Sequence, residues 1–297
     1  MKELRSLFMG YRRITPIQRT APFVLSDLDS IECPEDVRES FSLFQEVTTY
    51  TFKGNVIRFF HQGEDCDTKL QHIARFLHKL QKKPVVADIL LSPVTKFYPP
   101  DKIFGRPHAN SGYCTSGRDR MVIYRTEEWF KVFIHEFIHY NGGETVLDGS
   151  ELPLFPHTFR VYEAYCEVCA RVLNCCYISA ITHIPVQCLY EIERQYSVQH
   201  MVNVLHHMDL DYGMIFDPSY KFTEDTNLFA YVVITAILMS AKYVPPASLT
   251  LVDKDAFLQT IVEHAKDKSL FHDATSRVPS ITTTMTKLNV DEFISHH

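Results

Sequence analysis

The segment His135-Glu136-Phe137-Ile138-His139 carries the most legible chemistry in the chain. On a helix, positions i and i+4 share a face one turn apart, so His135 and His139 aim two imidazole nitrogens at one point while Glu136 projects beside them. A catalytic zinc uses that arrangement: two ligands, and a carboxylate base for the water that the metal polarises. The competing reading is a hydrogen-bonded polar cluster without metal, the form in which an apolar helix tolerates such residues. Catalytic zinc takes three protein ligands and leaves a fourth position for water, so a third donor is expected downstream. Phe159 to Leu173 reads as a second helix with Glu163 and Glu167 one turn apart in apolar surroundings. Two carboxylates facing a core want a cation. His157 is the other candidate ligand, in the loop Pro153 to Thr158, where no helix fixes it.

These residues resemble the zincin metallopeptidases, and within them the gluzincin branch, where HExxH is followed by a glutamate ligand on a second helix. The resemblance implies one Zn2+ per chain held by His135, His139 and Glu163, which lies 24 positions after His139 and precedes the small residue Ala164. It implies that Glu167, four residues on, orients a ligand imidazole, although the branch more often has Asp there. The metzincin pattern fits less well: Gly142 stands at its glycine position, but Thr145 replaces its third histidine. The likeness spans Ile123 to Glu167, and the stretch from Val122 to Glu136 is also similar to uncharacterised proteins of large DNA viruses. The implied activity is hydrolysis of peptide bonds, with Glu136 as base and an oxyanion donor from later in the chain. Tyr231, His200, His206 and His207 are the candidates, each with a plainer reading as a core aromatic or a surface histidine. The implied partner is a peptide or protein substrate. Two rivals share the metal site: an inactive binding or structural protein on the same scaffold, and a small-molecule amide hydrolase.

The elements that must position these residues are readable from periodicity. Thr126 is expected to cap the active helix through its hydroxyl, with Glu127 and Glu128 in the first turn. Trp129, Phe133, Phe137 and Tyr140 follow at helical spacing, and Gly142-Gly143 ends the run. Upstream, Pro34 to Glu46 has helical spacing, Thr48 to His61 reads as a hairpin around Lys53-Gly54-Asn55, and Asp67 to Lys82 as an amphipathic helix. Val85 to Leu91 suits a central strand. Met121 to Tyr124 is expected to be the strand edge beside the metal, with Asn110, Ser111 and Gly112 lining the cleft. Leu228 to Ala241 reads as a buried helix, Asp255 to Ala265 as an amphipathic one, Ile281 to Thr286 as a polar stretch, and His296-His297 as a frayed end. The expected fold class is α+β and zincin-like, one compact unit: residues 1–125 form a small sheet with the substrate-side strand, and 126–297 a mostly helical part carrying the zinc site.

Composition narrows the rest. The chain has 297 residues, 45% hydrophobic, and a net charge of -6 with Lys and Arg scattered, so no basic surface points to nucleic acid. Arg12, Arg13 and Pro16 break the N-terminal region before any apolar run of signal length, and Leu228 to Ala241 falls short of the roughly 20 residues a spanning helix needs. An intracellular location, without secretion or a membrane, is the expectation. The 8 cysteines include Cys166, Cys169, Cys175 and Cys176 on one helix, where buried core thiols are favoured over a zinc cluster.

Overall fold

The computed structural model describes residues 1–249, 252–267 and 282–293. The fold is α+β, built on a six-stranded mixed sheet of order β1-β2-β3-β4-β6-β5. The strands are β1 (Ile17–Pro22), β2 (Glu46–Phe52), β3 (Asn55–His61), β4 (Val86–Leu90), β5 (Gly112–Cys114) and β6 (Met121–Ile123). The helices are α1 (Lys2–Ser6), α2 (Glu35–Glu39), α3 (Asp67–Leu80), α4 (Arg106–Ala109), α5 (Trp129–Asn141), α6 (Val161–Thr182), α7 (Val186–His207), α8 (Thr235–Ser240) and α9 (Lys254–His264).

The expected hairpin is β2–β3, antiparallel from Glu46↔His61 to Phe52↔Asn55. Lys53 and Gly54 both take positive φ, 48° and 81°, the turn whose twist suits a two-residue hairpin loop. β3 pairs parallel with β4, and β4 with β6. Met121 to Tyr124 is therefore not the sheet edge: β6 lies between β4 and β5, and all three of its residues are buried. Its unbroken apolar run is the mark of an interior strand, covered on both faces. The edge is the short β5, antiparallel to β6.

Tyr124 N donates to Ser111 O and Thr115 N to Arg120 O, each at 2.9 Å. The sheet-bonding positions of the β5 segment are thus 111, 113 and 115, and the N–H and C=O groups of Gly112 and Cys114 point to the open edge.

Several helix boundaries differ from expectation, and α6 runs on past Leu173 to Thr182. Pro34 to Glu46 is the short α2 followed by a 3-10 turn, Ser40–Leu43, because the chain must already be extended at Glu46 to enter β2. α5 begins at Trp129, one residue after a left-handed Glu128 (φ 51°), with no side-chain cap from Thr126. Glu127 and Glu128 are drawn off the helix axis by Lys96 and by the C-terminal segment. At the other end Gly142 (φ 67°) is the left-handed cap that its sequence suggests. The Leu228 to Ala241 stretch is buried and helical but opens with wide π turns over Phe229–Ile234 before α8.

α5 packs on β5, β6 and α6, so the metal-motif helix touches both the sheet edge and the central helix. The opposite sheet face is covered by a second cluster in which Leu28, Ile31, Val37 and Phe41 meet Phe60, Leu90 and Val122. α6 is long and apolar enough to cross a membrane by composition, yet 94% of its apolar window is buried inside the protein. Residues 282–293 form a strap rather than a polar surface stretch: Thr283, Met285, Leu288 and Val290 are buried. The helix expected at Asp255 to Ala265 is α9, whereas Ile281 and the pair His296-His297 lie outside the described residues.

The contact of β5 with α5 depends on Gly112. A Cβ there would stand 2.7 Å from Val122 O and 2.9 Å from Val132 Cγ1, distances that force strand and helix apart. Gly112→Ala should lower unfolding stability by roughly 1–3 kcal/mol, read from the urea midpoint; an unchanged midpoint would show that the strand is free to shift.

Candidate metal centre

α5 delivers His135, Glu136 and His139, and the first turn of α6 delivers Glu163. His135 Nε2 and His139 Nε2 are 3.2 Å apart. Glu163 Oε2 lies 3.4 Å from the first and 3.3 Å from the second. Donors held about 2.0–2.1 Å from a tetrahedral zinc stand about 3.3 Å from one another, so the triangle has the size such an ion requires. Two imidazoles and one carboxylate are also the ligand types that zinc takes in hydrolytic sites.

The outer nitrogens sharpen this. His135 Nδ1 is 3.0 Å from Glu167 Oε2, and His139 Nδ1 is 3.1 Å from Glu144 Oε1. A carboxylate only accepts, so each Nδ1 carries the proton and each Nε2 presents a lone pair inward. With Glu163 Oε2, which also accepts from the Tyr231 hydroxyl, three acceptor atoms converge on one point, an arrangement that a metal or extra protons on the imidazoles would relieve. The titration tendencies express the same attraction. Burial pulls His135 down, but hydrogen bonds to Glu163 and Glu167 outweigh it and its pKa is raised. Burial would raise Glu163, but the two imidazoles hold it far below the ordinary carboxylate range.

Glu167 is itself clamped. Lys131 Nζ reaches its two oxygens at 3.0 and 3.1 Å, and Arg171 Nε reaches Oε1 at 2.9 Å. These cations overcome the effect of burial and hold Glu167 well below its ordinary pKa. Behind them, Lys96 Nζ meets Glu128, and Arg171 NH1 lies 3.6 Å from Glu193. The strap supplies the remaining donors: Met285 N to Glu128 at 2.6 Å, and Thr286 Oγ1 and Lys287 N to Glu193 at 2.9 and 3.1 Å.

Glu136 accepts no hydrogen bond among the described residues and lines the cleft, although it is only 6% exposed. Burial raises its pKa, with the neighbouring imidazoles offsetting part of the rise, which suits a group that must both take and return a proton. Of the expected oxyanion donors only Tyr231 lines the cleft: its hydroxyl donates to Glu163 Oε2 at 3.2 Å, and its ring stands edge-on to His135. His200 is buried outside the cleft, stacked on Tyr196, with its pKa lowered to about 3 by burial. His206 is exposed, and His207 packs on Tyr98 and bonds Pro99 O. These three face away because α7 presents them on sides remote from the cleft. His157 does line the cleft, but its Nε2 is engaged by Glu224 Oε1 at 3.1 Å, and it is no part of the donor triangle.

The cleft has a volume of about 1180 Å³ and includes β5 along one wall. Asn110 and Gly112 line it as expected, whereas Ser111 is buried beside Glu128. The four α6 cysteines are buried free thiols, and Cys166 Sγ packs 3.7 Å from His139 Nδ1 with its pKa pushed up to about 12 by burial. Sequence reading missed Glu144 and Asn227, whose Nδ2 donates to Glu163 Oε1 at 3.3 Å. Glu144 follows the Gly142-Gly143 cap and its signal was only proximity; Asn227 had none. Comparison with protein-family models, curated proteins and solved structures returns no match.

Glu167→Gln keeps the side chain's shape but strips the charge that Lys131 and Arg171 require. It should lose roughly 3–5 kcal/mol of unfolding stability in urea and bind zinc about 10–100-fold more weakly by competition with a chromogenic chelator. Wild-type values in both measurements would remove Glu167 from the support of the centre.

Proposed function

We propose that the protein is a zinc-dependent metallopeptidase of zincin type. The observation that carries this reading is the convergence of three acceptor atoms, His135 Nε2, His139 Nε2 and Glu163 Oε2, within 3.4 Å of one another beside Glu136, which accepts no hydrogen bond among the described residues. The gluzincin resemblance of Ile123 to Glu167 supports it, because the residue that the resemblance makes the third ligand is the one that completes the triangle.

Bound there, zinc would supply a Lewis acid that polarises both a water and a substrate carbonyl. The remaining work belongs to the chain. Glu136 takes one proton from the attacking water and returns it to the leaving nitrogen, so that one water is added across the C–N bond. Glu167 and Glu144 hold the two imidazoles in the tautomer that directs Nε2 inward. Asn227 occupies Glu163 Oε1, so that Oε2, which also accepts from Tyr231, is the oxygen turned toward the two imidazoles. Tyr231, kept protonated by burial, offers its hydroxyl to the oxygen that gains charge in the transition state.

A peptide is favoured over a small amide by the open edge of β5. The outward N–H and C=O groups of Gly112 and Cys114 are placed to pair with an extended chain, and they lie against the base-bearing helix. An inactive scaffold has no use for a buried Glu136 without a hydrogen-bond partner among the described residues, since its desolvation costs stability without return.

Elemental analysis should find about one zinc per chain, lost in His135→Ala and Glu163→Ala. Glu136→Gln should keep the metal while peptide hydrolysis falls by about 10²–10⁴-fold, and Tyr231→Phe should lower kcat by about 10²-fold. A folded protein that takes up no zinc would overturn the proposal and leave a proton-stabilised polar cluster in its place.

A further inference from the structure

The cleft reaches both faces of the sheet. Gly112, Tyr113 and Cys114, the whole of β5, line it. Successive residues of a strand point to opposite faces, and β5 keeps that rule. A Cβ on Gly112 would meet Val132 and Glu136 of α5, and Cys114 packs against the core on that side. Tyr113 packs instead on the second cluster, across the sheet, with Cys33 and Tyr124. Cys33, Pro34 and Tyr124 nevertheless line the same cleft as Glu136. A single cleft that follows β5 along its length and reaches both faces passes round the open edge of that strand.

The far-face part of the cleft is preformed. The segment before α2 is tied down along its length: Arg120 NH1 donates to Ser30 Oγ at 3.1 Å, Arg38 NH2 to Ile31 O at 2.6 Å, and Glu32 N to the Tyr113 hydroxyl at 3.2 Å. Its charge stays at the rim, where Glu32 and Arg106 are both exposed and 3.8 Å apart. Behind the rim the lining is the half-buried Cys33 and Tyr113 and the buried Pro34 and Tyr124. Tyr124 is only 2% exposed, and its hydroxyl makes no hydrogen bond among the described residues. Burial keeps that phenol protonated. A buried hydroxyl without a partner costs stability, and beside a cleft a ligand can supply the partner.

Strand pairing decides which side chain arrives there. Residues directly opposite one another in paired strands project to the same face. A chain paired with the open edge of β5 therefore sends the residues opposite Gly112 and Cys114 toward α5, and the residue between them, opposite Tyr113, toward Cys33, Pro34 and Tyr124. Main-chain bonds of this kind hold any sequence, and pockets for alternate side chains supply the selection. A Cβ on Gly112 would be 3.5 Å from Glu136 Cγ, so the residue opposite Gly112 stands beside the base. Its neighbour in the far-face pocket then lies within about two residues of the bond that is cut.

We propose that the substrate is selected on the face of the sheet away from the metal centre: the pocket of Cys33, Pro34, Tyr113 and Tyr124 takes a tyrosine side chain, whose ring lies on the apolar lining and whose hydroxyl meets that of Tyr124. This deepens the peptidase reading above and rests on it for the extended chain. Phenylalanine fills the same space but leaves the Tyr124 hydroxyl unanswered, and alanine leaves the lining uncovered as well.

The test uses the zinc-loaded full chain and a set of decapeptides blocked at both ends, alanine and serine throughout except for a central Tyr, Phe or Ala. Mass spectrometry should locate cleavage at one fixed bond within about two residues of the Tyr. The kcat/KM of the Tyr peptide should exceed that of the Ala peptide by about 10–100-fold and that of the Phe peptide by about 3–10-fold. In Tyr124→Phe the ratio of Tyr to Phe should fall to about one, and in Cys33→Trp, which fills the pocket, the preference for Tyr over Ala should vanish. Calorimetric binding of the same peptides to Glu136→Gln protein should keep the order Tyr, Phe, Ala. Equal cleavage of the Tyr and Phe peptides, or of the Tyr and Ala peptides, by wild-type protein would overturn this inference and leave the peptidase reading standing. Binding in the expected order without hydrolysis by wild-type protein would overturn the peptidase reading and support the pocket. Peptides neither bound nor cut would overturn both.

Discussion

An ionised carboxylate cannot be left in a protein core without partners, and Glu167 meets that constraint at the middle of this fold. Burying such a charge costs several kcal/mol unless geometry and hydrogen bonds offset it. Here one carboxylate satisfies Lys131, Arg171 and His135 together. The cations are in turn answered by Glu128 and Glu193, so charges alternate from Lys96 through to the strap. A purely apolar core would be as stable or more so, but it would leave the His135 ring free to rotate. The network is the means by which helix packing becomes the orientation of one imidazole.

The second requirement is that helix α5 touch the open edge of the sheet. Helix α5 does so at Gly112, where only the absence of a side chain lets strand and helix approach. The same short strand is bonded on one side and open on the other. The Glu136 carboxylate, three converging acceptors and a strand edge left unpaired among the described residues thus share one cleft, although they come from elements separated in the chain.

Local pattern was enough for the parts of this arrangement that repeat within a turn or a pleat. The spacing of His135 and His139, the left-handed cap at Gly142, the hairpin at Lys53-Gly54 and the paired Glu163 and Glu167 each show a period or a turn residue. The three-residue β5 has no period to detect, and the apolar Met121 to Ile123 run next to it drew the assignment of the edge. Thr126 looked like a cap because capping is judged from neighbours; the pull of Lys96, Met285 and Thr284 on the adjacent glutamates is long-range. For the same reason the histidines of α7 could not be ranked: which side of a helix faces the cleft depends on packing. Glu144 and Asn227 reach helices α5 and α6 from loops; Glu144 had only its nearness to the Gly142-Gly143 cap as a signal, and Asn227 had none.

The strap introduces an order of events. Synthesis runs from the N-terminus, and helices α5 and α6 emerge well before residues 282–293. Until the strap docks, Glu128 lacks the Met285 amide, and Glu193 lacks the Thr286 hydroxyl and the Lys287 amide. Both carboxylates then lack donors, and the chain of charges that holds Glu167 against His135 is incomplete at its outer end. Completion of the network is thereby coupled to the last-made part of the described fold: a nascent chain carries every residue of the donor triangle before the charges behind it are all answered.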